Sequence, residues 1–128
     1  MRSGFLGMAV GATAVGLILA SCSSSTSYGG GGGCTPTATK VCMVNTSFSP
    51  TTLTITHGTT VTWSNGDAIQ HTATSSSTST EVFNSGQLGG GATYMHTFNT
   101  AGTYHYYCQN HGVDGNPPTG MAGTITVQ

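Results

Sequence analysis

The run YHYYCQNHG, Tyr104 to Gly112, closes an aromatic stretch on a single cysteine, Cys108, with His111 three residues further on. A thiol and an imidazole at this spacing can serve as half of a disulfide, part of a zinc site, a nucleophile with its base, or ligands for copper. Each use needs different company. A zinc knuckle needs a close-set cysteine pair, which the chain does not have. A cysteine hydrolase needs a third residue to orient the base and an oxyanion hole, and no pattern in the sequence supplies them. His71 and Met121 extend the pair to two imidazoles, one thiolate and one thioether. Imidazole suits Cu(II), thiolate and thioether suit Cu(I), and a site between the two preferences passes an electron with little rearrangement.

For these donors to meet, separate and rigid elements must carry them. TLTI (Thr52 to Ile55) alternates, and TVTW places Val61 and Trp63 on one face. SNGD (Ser64 to Asp67) reads as a turn, QHTATSS as a returning strand and TEVF as a short one. TYMHTF and TYHYYC flank the turn NTAG, and GTITV closes the chain. Short strands between Gly, Asn and Ser turns predict an all-β antiparallel sandwich or barrel. Strand parity sets Cys108 on the inward face of Tyr104 and Tyr106 and turns His105 away from it. By the same rule His71 shares a side with Ala73, at the start of its strand. His57 falls in a turn and reads as solvated. His96 reads as a partly buried structural histidine, and Met43, Met95, Trp63 and Phe98 as packing.

The chain has 128 residues, enough for one domain, and only Arg2, Lys40, Asp67, Glu81 and Asp114 carry full charges. So few cations exclude nucleic-acid binding, which needs clustered Lys or Arg against phosphates. Residues 1–21 carry Arg2 and an apolar run from Phe5 to Ala20, with no basic stop-transfer cluster after it. The ending LASC resembles the lipobox of bacterial lipoproteins, which implies that Cys22 is acylated and the chain exported. Residues 22–33 are Ser- and Gly-rich and read as a flexible tether, the eleven residues from Ser23 to Gly33 spanning about 18 Å on average. The folded domain is then 34–128. In an exported protein Cys34 and Cys42 are expected to pair as a disulfide, which would stabilise by roughly 2–3 kcal/mol. Cys108 remains as the odd thiol.

The stretches GTTVTWSNGDAIQHTATS and AGTYHYYCQNHG, with GMAGTITV at the C-terminus, resemble the cupredoxins, in particular the small plastocyanin-like and halocyanin-like blue copper proteins. The resemblance runs from about Val41 to the end of the chain. It implies a Greek-key β-sandwich with one type 1 copper at one end, held by His71, Cys108, His111 and Met121. Nine residues, GVDGNPPTG, separate His111 from Met121, more than is usual in the family, and Gln109 is the alternative axial donor. Thr72 follows the first histidine, where many relatives carry an asparagine that braces the cysteine loop.

The resemblance further implies an electron-transfer protein, not an enzyme, that meets a redox donor and acceptor transiently through the exposed edge of His111. With the lipobox, it implies a monomer anchored to a bacterial membrane and facing the periplasm or the cell exterior. A copper carrier or storage lipoprotein is the competing expectation. Such a protein favours Met- and His-rich sites without a thiolate, so Cys108 argues against it. Multicopper oxidases and nitrite reductases resemble fused domains of this kind, with histidine-rich extra sites and a His-Cys-His triplet that this chain does not contain.

Overall fold

The computed structural model describes residues 33–128; the expected signal peptide, the expected acylation at Cys22 and the expected tether up to residue 32 lie outside the described residues. Eight strands follow in order: β1 (Lys40–Val44), β2 (Ser47–Ser49), β3 (Thr52–Ile55), β4 (Thr59–Asn65), β5 (Thr74–Ser75), β6 (Thr93–Phe98), β7 (Gly102–Val113) and β8 (Thr119–Val127). They form two four-stranded sheets, ordered β2-β1-β4-β6 and β3-β8-β7-β5. The chain changes sheet repeatedly, and β1 with β4 and β3 with β8 are parallel pairs among otherwise antiparallel ones. This is the Greek-key β-sandwich expected from the sequence.

Alternation builds the core. Val61, Trp63 and Asn65 face inward from β4, Tyr104, Tyr106 and Cys108 from β7, and Met121, Ile125 and Val127 from β8. Trp63 is fully buried and meets Tyr106 edge to face at 5.4 Å and Phe83 at 5.3 Å. Burying aromatics of this size supplies much of the apolar stabilisation of a domain this small. Gly123 makes room for them, because a Cβ there would lie 2.4 Å from the Tyr106 ring. Tyr104 Oη donates to the Thr100 carbonyl at 2.9 Å, the tyrosine corner of β-sandwiches. Cys34 and Cys42 form a disulfide with a Cα separation of 5.7 Å, fastening the start of the domain to β1.

Four elements differ from the sequence reading. The strand expected over QHTATSS is only β5, because His71, Thr72 and Ala73 are all buried in succession, which a regular strand with its period of two does not allow. His71 is held instead by an isolated bridge to Leu88. TEVF is not a strand: the Ser75 hydroxyl accepts the Phe83 N–H in place of a backbone carbonyl. Asn65, read as turn, is the last residue of β4 and fully buried. Finally, β1 and β2 went unread, since Val41, Cys42 and Met43 are buried in succession and show no alternation.

Candidate metal centre

Three donors converge at one end of the sandwich. His71 Nδ1 lies 3.1 Å from His111 Nδ1, and the Cys108 thiol lies 3.7 Å from the first and 3.5 Å from the second. All three ligand atoms fall within 4.8 Å of one another. His71 and Cys108 are completely buried, whereas His111 is exposed. Two neutral imidazoles and a thiolate in so small a space form a donor set that fits a single copper ion.

The side of the site carrying Cys108 owes its shape to a register break. Tyr107 pairs with Ala122 and Gly112 with Gly120, so Cys108, Gln109, Asn110 and His111 together stand opposite the single residue Met121. The excursion bows out of the sheet and turns the thiol and the second imidazole toward each other. Past it the ladder resumes with Val113 opposite Thr119, so the long segment between His111 and Met121 is an extension of the β7–β8 ribbon. Its length therefore leaves Met121 in register with the ligand loop. Gly120 permits the close return: its φ is +74°, and a Cβ there would meet the His111 carbonyl oxygen at 2.7 Å. Met121 is buried, while Gln109 is exposed.

His71 is fixed from behind. Asn65 donates its side-chain amide to the carbonyls of Ile69 (2.7 Å) and Leu88 (2.9 Å), and accepts the Asp67 N–H at 2.9 Å. This buried bracket shapes the loop that leads into His71. Parity from Val61 and Trp63 was the signal that could have revealed it. The far nitrogen of the same ring, Nε2, lies 2.8 Å from Asp67 Oδ2. Burial pushes the Asp67 carboxyl up, but hydrogen bonds from the Thr46 and Asn45 backbone and from His71, with attraction to that imidazole, outweigh it and hold it below the ordinary range.

Thr72 joins the loop of His71 to the loop of Cys108. Its hydroxyl accepts the Gln109 N–H at 2.9 Å, and its own N–H donates to the Cys108 sulfur at 3.3 Å. The remaining histidines stand apart: His105 bonds Thr124 on the outer face at 3.0 Å, and His96 pairs with Glu81 at 2.8 Å, partly buried as expected. His57 is exposed in its turn beside the Gln128 carbonyl.

A two-sheet sandwich with two imidazoles and one thiolate gathered at its end defines a mononuclear copper protein of the cupredoxin class. Comparison with known proteins agrees. Residues 35–128 match the model of the copper-binding plastocyanin/azurin family. A plastocyanin of Scenedesmus fuscus is 36% identical, over 63% of this chain and 86% of that protein. Among solved structures, a purple cupredoxin from Nitrosopumilus maritimus superposes with a TM-score of 0.56 at 31% identity, covering 70% of this chain and 98% of that one. A copper-containing nitrite reductase from Thermus scotoductus SA-01 superposes at 0.61 with 33% identity over 74% of this chain, which spans 23% of the reductase. The chain belongs to the plastocyanin/azurin family of copper-binding proteins.

Proposed function

We propose that this protein is a one-electron carrier in which His71, Cys108 and His111 hold one copper and Met121 is a weak fourth ligand. The observation that carries the reading is the convergence of a buried thiol and two imidazoles within 4.8 Å at the end of a rigid sandwich. When bound, copper supplies the Cu(II)/Cu(I) couple. The chain's own residues keep the geometry constant between the two states. Cys108 and His71 are locked in the core, Thr72 ties their loops together, and His111 alone reaches the surface. Its exposed edge is the route by which electrons pass to and from partner proteins, through a small transient contact. The full chain loaded with one equivalent of copper is expected to give a reversible one-electron wave in voltammetry. A protein that binds copper but shows no reversible couple would overturn the assignment in favour of storage.

The carrier is read as a lipoprotein. The lipobox-like ending at Cys22, with the Ser- and Gly-rich stretch behind it, supports export and anchoring to a membrane facing the periplasm or cell exterior. More than one acyl chain holds a protein stably at a bilayer, and a tether this polar adds nothing to that hold. Cys22→Ala is therefore expected to move the protein from the membrane to the soluble fraction on cell fractionation. Unchanged retention would contradict the anchor.

A further inference from the structure

The carboxylate of Asp67 joins two features that the sequence keeps apart. Its Oδ1 accepts the Asn45 N–H at 2.8 Å, and its Oδ2 accepts the Thr46 N–H at 3.0 Å. Oδ2 also lies 2.8 Å from Nε2 of the fully buried His71. Asn45 and Thr46 form the two-residue connection of the β1–β2 hairpin, with Val44 paired to Ser47, and both have positive φ, 52° and 57°. Such a turn favours Asn followed by Gly, and a β-branched threonine at the second position is strained. The two backbone bonds to Asp67 offset that strain, and the third bond carries the fixed carboxylate to the ring.

The backbone of Asp67 is held as firmly as its side chain. Its N–H donates to the buried Asn65, and the Asp67 carbonyl packs where a Cβ on Gly90 would approach to 2.8 Å. The carboxylate therefore cannot drift from the imidazole. A neutral ring that donates Nε2–H to an oxygen has Nδ1 as its lone-pair nitrogen. Nδ1 is the atom that faces Cys108 and His111. We propose that Asp67 is a positioning residue for the metal centre, fixing the His71 tautomer and ring angle and favouring the oxidised ion by its negative charge. This rests on the copper reading above. The same contacts make the β1–β2 turn and the ligand ring one mechanical unit, so that the turn supports the site from outside the ligand loops.

An asparagine amide has one acceptor oxygen and cannot serve all three donors. Asp67→Asn alone would disturb both the turn and the ring. The comparison is therefore made in a Thr46→Gly background, which makes the turn self-supporting. Full-length protein is loaded with Cu(I) or Cu(II) and three quantities are read: the reduction potential, copper affinity by chelator competition, and the exchange protection of the His71 Nε2 proton in the diamagnetic Cu(I) state by imidazole-tuned NMR. Adding Asp67→Asn to Thr46→Gly is expected to shift the oxidised-to-reduced preference about tenfold toward Cu(I), about 59 mV upward for one electron. Affinity is expected to fall about 10–100-fold, and the Nε2 proton to lose its protection. Potential, affinity and protection equal to those of the Thr46→Gly protein would overturn the role of Asp67. If the Thr46→Gly protein itself gave no reversible couple, the functional reading would fail, while the Nε2 proton would still report whether Asp67 holds the ring.

Discussion

At the level of single residues, the donor set was legible because its chemistry is rare. Cys108 followed by His111 at the end of an aromatic strand, with His71 elsewhere, left little besides copper to explain them, and the three converge at one end of the sandwich. The residues that support the donors were harder to read, because their types are common. Asn65 and Asp67 sit in SNGD, whose composition is that of a turn, and only the fold shows one buried as a bracket and the other bonded to His71. The Thr72 hydroxyl accepts the Gln109 N–H and is itself the acceptor for the Thr74 hydroxyl, a role its residue type alone does not announce. Removing an acceptor from a partly buried N–H costs about 1–3 kcal/mol. Thr72→Ala is expected to destabilise the copper-loaded protein by about that amount in denaturant titration, while Thr72→Ser, which keeps the oxygen, stays within about 1 kcal/mol of the parent. Equal stability of the two variants would show that the hydroxyl does not brace the loop.

At the level of elements, strands with clean alternation were read correctly, among them β3, β6 and the first part of β7. Alternation fails where a strand does something besides face a core. In β1 the disulfide-bonded Cys42 is buried between two buried neighbours, and around His71 three consecutive residues are all fully buried. The ribbon beyond His111 was hidden by its own composition, since GVDGNPPTG looks like a loop. Its tip is fastened by Asp114, whose carboxylate accepts from the Ser76 hydroxyl at 2.9 Å, the Ser77 N–H at 3.1 Å and the Gly115 N–H at 2.8 Å.

Hydrogen bonds from the Ser77 side chain and backbone, with those from Ser76 and Gly115, hold the Asp114 carboxyl below its ordinary value of 3.8. A depressed carboxyl stabilises the folded form above its unfolded pKa and loses that contribution as pH falls through the folded one. The Ser77 and Gly115 amides are therefore expected to stay protected from exchange at pH 5 and to open as pH falls below about 3.8, the ordinary carboxylate value. Asp114→Asn, which keeps one acceptor but carries no charge, is expected to show faster exchange already at pH 5 and no further loss in the acid range. An acid opening unchanged by Asp114→Asn would assign the effect to another group.

At the level of the whole molecule, the sandwich acts as a clamp. Its two sheets share a core of aromatics, and the register break between β7 and β8 presents a thiol and an imidazole against a third donor carried by the loop after β4. Because Cys108 and His71 are completely buried and His111 is exposed, the same arrangement that fixes the ion also leaves one ligand in contact with solvent. The whole arrangement depends on the Cys108 thiolate binding copper together with the two imidazoles. The most direct test is the visible absorption spectrum of the copper-loaded protein beside that of Cys108→Ser. The parent is expected to show an intense thiolate-to-copper charge-transfer band, absent from a variant that keeps its far-ultraviolet β-sheet spectrum. A parent without such a band, or a variant that keeps it in full, would contradict the assignment.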